Sequence, residues 1–120
     1  MRDDIRFLEE LVAAVPEFGE LYEIHVENNG EPLPHVFFGL DVTPAVVDSY
    51  LGKDPEGPDW RATLEFLEEQ SELQVPAITE VIVTSFFDNL PFRGEPGHGI
   101  VEHLGPVMAA AFRRAGQGAR

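Results

Sequence analysis

The chain reads as an all-α protein, a compact single domain of five to six helices, with antiparallel pairs comparable to one or two solenoid units. Three observations predict this. Apolar residues recur at three- and four-residue intervals through most of the 120 positions, the spacing that gathers side chains on one face of a helix. Between these runs stand Asn28-Asn29-Gly30, Thr43-Pro44 and Gly52, residue types that end or start helices for stereochemical reasons. No shift in composition and no repeat of fixed period divides the chain, and its length suits one core. One domain over 1–115 follows, with 116–120 expected to fray.

The first helix is predicted over 3–14. Ile5, Leu8, Leu11, Val12 and Val15 form its apolar stripe, and Asp3 and Asp4 suit the positive end of its dipole. Pro16 ends it or opens the next, in which Phe18, Leu21, Tyr22 and His25 share a face while Glu17, Glu20, Glu23 and Glu27 stay in water. Asn28-Asn29-Gly30 stops that helix, because Gly and Asn accept a left-handed backbone. Pro32 and Pro34 then hold the chain extended, each fixing its own φ and biasing the residue before it away from helix. Val36, Phe37, Phe38 and Leu40 fit a short strand or a buried turn of helix equally well. Thr43-Pro44 predicts a helix start, a hydroxyl N-cap before a first-turn proline, with Val46, Val47, Tyr50 and Leu51 inward.

KDPEGPD, residues 53–59, is a polar turn. From Pro58 the clearest helical pattern carries Trp60, Leu64, Leu67 and Leu73 inward and Glu65, Glu68, Glu69 and Glu72 outward. The run AITEVIVTSFF is rich in β-branched residues that suit a strand. Its length, and the spacing Ile78, Val81/Ile82, Ser85/Phe86, Asn89, favour a buried helix instead. PFRGEPGHG, residues 91–99, is a loop by composition. Ile100, Val101, Leu104, Val107, Met108, Ala111 and Phe112 form a last apolar face, interrupted near its start by Gly105-Pro106, and Arg113 and Arg114 suit a helix C-terminus.

Charge narrows the function. Twenty-two acids against eight Lys and Arg give a formal net charge of −14. No Lys or Arg lies between Arg6 and Lys53, and none from Ala62 to Phe92. Such a field repels phosphate backbones and anionic lipid and attracts basic partners, so no nucleic acid and no membrane surface is expected to bind. The absence of cysteine excludes disulfides, thiolate metal sites and a cysteine nucleophile, and a reducing cytoplasm is the natural setting. The N-terminus, MRDDIRFLEE, carries acids where a signal peptide needs an apolar stretch.

The chemistry-bearing residues point away from catalysis. His98 and His103 are five apart and no HExxH occurs, so neither a metal nor another cofactor is expected. His25, in line with Phe18 and Tyr22, reads as a core-edge imidazole with a backbone partner; His35 and Trp60 likewise read as structural. Paired carboxylates such as Glu9-Glu10 and Glu68-Glu69 fall on solvent faces, where nothing desolvates one of them for acid–base work. Ser49, Ser71 and Ser85 lack a GxSxG context. The expectation is a protein that is not an enzyme. In each of the pairs Phe37-Phe38 and Phe86-Phe87 both rings cannot enter one pocket, so Phe38 and Phe87 are candidates to reach a partner-binding surface.

In order along the chain, LYEIHVENNGEPLPHVFFG, a WR at Trp60-Arg61 opening LEFLEEQ, SFFDNLP and HLGPVMAAAF resemble a family of short bacterial helical domains. Some members of that family stand beside polymorphic toxins and are regarded as immunity proteins. The resembling stretches span nearly the whole chain from about residue 20. The resemblance implies helix for 78–87, inhibition of a cognate toxin by direct contact, and no catalytic residue. A basic toxin would be steered onto an acidic protein. The candidate faces are then Glu17, Glu20, Glu23 and Glu27 on one helix and Glu65, Glu68, Glu69 and Glu72 on another. Two other readings stay open: an enzyme or small-ligand module using His35 and Asp41, with Arg93 from the loop, and an adaptor that forms a homodimer through its aromatic faces.

Overall fold

The computed structural model describes residues 2–116. Its α-helices are α1 (Asp3–Ala14), α2 (Gly19–Asn29), α3 (Pro34–Phe37), α4 (Thr43–Tyr50), α5 (Trp60–Glu72), α6 (Pro76–Val81) and α7 (Pro106–Arg114). Seven α-helical segments thus replace the five or six expected, and no strand occurs among the described residues. The expected fraying of 116–120 falls, except for Gly116, outside them. The Cα radius of gyration is 13.4 Å, against about 13.6 Å for a compact chain of this length. In a solenoid each unit touches only its neighbours. Here α1 packs on α3, α5 and α6, so the helices enclose one shared core.

That core is built largely of phenylalanine. Phe7 of α1 stacks on Phe38 at 5.3 Å between ring centroids and on Phe66 of α5 at 5.8 Å. Fully burying such a side chain contributes about 1.5–3 kcal/mol. Phe7 lay outside the stripe read from sequence, yet it is fully buried, while Ile5 and Val12 are only half-buried. A helix covered from more than one side buries a wider face than a single stripe.

The extra helical segment comes from the proline bridge. Leu33 is extended at φ −121° and ψ 94°, as a residue before proline should be. Pro34, expected to prolong that bridge, instead opens α3 as its first residue, where a missing N–H costs nothing. Helix then runs on to Tyr50 through a π turn at Phe38–Val42, closed by the Thr43 N–H on the Phe38 carbonyl. Thr43-Pro44 is therefore not a helix start, and Thr43 is already helical at φ −61° and ψ −47°. Inside a regular α-helix Pro44 would lack a bond to Leu40 and press on its carbonyl. The wider turn just before it relieves that clash.

The β-branched run is helical as well. α6 passes into a second π turn at Ile82–Phe86, closed by the Phe87 N–H on the Ile82 carbonyl, and then into a 3₁₀ turn at Phe87–Asn89. The two π turns lie against each other. Leu73, expected inward, is exposed. α5 ends at Glu72, and Gln74 at φ 56° turns the chain away before Leu73 can reach the core.

Candidate functional site

At the start of α5, Asp59 is the N-cap, its Oδ1 accepting the Arg61 N–H at 2.8 Å and the Ala62 N–H at 3.4 Å. Trp60 donates its backbone N–H to Ser49 Oγ at 3.2 Å. Its ring meets Tyr50 of α4 nearly edge-on at 5.0 Å and His103 at 4.9 Å, and the Arg61 guanidinium lies 4.4 Å from its centroid. Beside it opens a cleft of about 340 Å³ lined by Trp60, Arg61, Leu64, Glu65, Glu68, His103 and Gly105. His103 stands at the end of a 3₁₀ segment, His98–His103, that precedes α7.

Glu68 has a structural task. Its Oε2 accepts the Val107 N–H and its Oε1 the Met108 N–H, both at 2.9 Å. Two of the open donors at the start of α7 are thereby satisfied by a carboxylate that also suits the helix dipole. Gly105 allows the approach, since a Cβ there would overlap the Glu68 carboxyl group. Glu68, expected on the partner-facing surface, is thus half-buried and engaged within the fold. The sequence holds no local signal of this, because the cap bridges helices far apart in the chain.

The other seven glutamates of the two candidate faces, Glu17, Glu20, Glu23, Glu27, Glu65, Glu69 and Glu72, are exposed, and among the described residues none of them enters an ion pair. Arg2 and Arg6 serve Asp4 and Asp3 at the start of α1. Phe38 and Phe87, expected as surface anchors, are each 0% exposed. Adjacent helical residues point about 100° apart, and each pair finds a wall in both directions. Phe37 meets Tyr22 and His25 of α2 while Phe38 meets Phe7 and Phe86; Phe87 meets Phe112 of α7. The large apolar groups that do reach solvent include Leu40, Leu73, Phe92 and Ile24.

The histidines are anchored. His25 is buried; its Nε2 accepts the Leu33 N–H at 2.9 Å, and Asn29 Nδ2 lies 3.2 Å from its Nδ1. His35 Nδ1 lies 2.7 Å from Ser85 Oγ and 3.1 Å from Thr84 Oγ1, and Nε2 lies 3.6 Å from a Glu80 oxygen. Ser85, His35 and Glu80 are the residue types of a nucleophilic triad, but Ser85 is buried. It also lies outside the lining of the shallow depression formed by His35, Val36, Gly39, Leu40 and Asn89. The hydroxyl and the ring act as a tether between α3 and the second π turn. Thr43 Oγ1 and Asn89 Nδ2 strengthen it by donating to the Ser85 carbonyl at 3.1 and 2.9 Å.

Asp41 is not among the residues that line the depression at His35. Burial pushes the Asp41 carboxyl above the usual carboxylate range; the histidine that would oppose this, were it charged, is His25. Arg93 is exposed in the loop after Leu90. No helix among the described residues is long and apolar enough to cross a membrane. Compared with protein families, curated proteins and solved structures, the chain matches none of them.

Proposed function

We propose that the chain is a small acidic binding protein that neutralises a cognate basic bacterial toxin by direct contact in the cytoplasm of the producing cell. The observation that supports this is the set of seven exposed glutamates on α2, its leading turn and α5, none paired within the fold among the described residues. Like charges three and four apart on a helix destabilise it by about 0.2–0.5 kcal/mol per pair. Glu20, Glu23 and Glu27 repeat that spacing on α2, and Glu65, Glu69 and Glu72 on α5. A basic surface laid on either row would relieve its repulsion and would be drawn in from a distance.

The test is the product of the adjacent open reading frame. Coexpression with this chain is expected to relieve growth arrest by that product, and the purified pair to associate with a rate constant that falls about tenfold or more between low and high salt. Arrest that persists, with no complex in solution, would reject the reading. A complex whose association ignores ionic strength would remove the acidic faces from it.

A further inference from the structure

We propose that the cleft beside Trp60 is the subsite for an arginine side chain of the partner, which makes the α5 face, and not the α2 face, the one that docks. The inference rests on the preceding reading, that the partner is a basic protein. The Trp60 ring already carries a guanidinium, that of Arg61 at 4.4 Å, so a cation–π site is built and holds the molecule's own cation. Arg61 is exposed on the first turn of α5, free to swing aside when an incoming arginine competes for the ring.

The surroundings suit that guest. Tyr50 and His103 pack against the indole at steep angles, 87° and 71° between ring planes, so the ring loses little freedom on binding. Leu64 offers apolar surface to the guest's alkyl stem, and Glu65, exposed and one helical turn after Arg61, supplies a carboxylate at the same cleft. Glu68 keeps both oxygens on α7 and holds the Gly105 wall in place. Farther along α5 come Glu69 and Glu72, four and three residues apart on the exposed side, to meet further cations of the same segment. A planar guanidinium stacks on an aromatic face and pairs with a carboxylate through its edge, which an ammonium does less well. Trp, Tyr and Arg are also the residue types that dominate binding hot spots. The α2 face offers carboxylates around the half-exposed Ile24, and its one aromatic ring, Tyr22, is half-buried against Phe37, whereas the Trp60 ring is already seated beside a guanidinium.

Trp60 is the only tryptophan, so its fluorescence reports on the cleft directly. End-blocked, dye-labelled peptides of six arginines and of six lysines serve as probes with the full chain at low salt. The arginine peptide is expected to change Trp60 emission in parallel with its own anisotropy and to bind more tightly than the lysine peptide. Glu65→Gln and Trp60→Leu should each weaken it by about three- to tenfold. Glu65 is exposed, so that variant keeps the test valid even where Trp60→Leu loosens the fold. Equal binding of both peptides, unchanged emission and full affinity in Glu65→Gln would overturn the proposal. With the adjacent gene's product, a complex indifferent to both substitutions rejects the cleft alone, whereas absence of any complex rejects the function on which it rests.

Discussion

At the scale of single residues, Glu68 and Gly105 form one device and should fail as one. Hydrogen bonds to a charged group contribute about 1.5–3 kcal/mol, so Glu68→Ala should cost about 2 kcal/mol in chemical denaturation. Gly105→Ala should cost a similar amount, because the new methyl overlaps the carboxyl group. In the double variant the overlap disappears with the carboxylate, and the measured loss should fall well short of the sum. Asp41 makes a pH-dependent prediction. Its folded pKa lies above its ordinary 3.8, so it favours folding only while protonated and removes stability as pH rises through the window above that value. Asp41→Asn should therefore melt higher than the parent at neutral pH, and the advantage should vanish below the carboxylate range. None of this was legible in the sequence. Glu68 shares the outward spacing of Glu65, Glu69 and Glu72, and only the arrival of α7 distinguishes it.

At the scale of elements, the paired π turns explain both what sequence reasoning resolved and what it missed. α1 over 3–14 and the stop at Gly30, with φ 79°, follow from local stereochemistry and were readable. The rod from Pro34 to Tyr50 was not, because Thr43-Pro44 is a good local start signal that loses to continuous packing. The same packing buries Phe38 and Phe87, which local geometry alone left free to face outward. His35 of α3 is tied to the second π turn through Ser85. His35→Ala should lower stability by about 1–2 kcal/mol, the value of a lost part-buried bond, while affinity for a basic partner stays near that of the parent. A folded His35→Ala protein that has lost binding would show that the surface around α3 and the second π turn, and not α5, faces the partner.

At the scale of the whole molecule, charge and shape act against each other. A net charge of −14 repels itself in the compact state, so melting temperature should rise with added salt up to about 0.5 M as screening tightens. Partner association over the same range should slow, and this opposition separates self-repulsion from attraction in one titration series. The cleft has a further consequence in time. Its indole wall belongs to α5, but His103 and Gly105 are synthesised long afterwards, and Glu68 cannot close on α7 until Met108 exists. A nascent chain that has left the ribosome only as far as α6 holds the acidic rows without the finished pocket. The cleft proposed to take an arginine is thus among the latest features to mature in synthesis, and a protease cut between Gly105 and α7 would leave its lining residues in the chain but take away the two N–H donors that hold Glu68 in place.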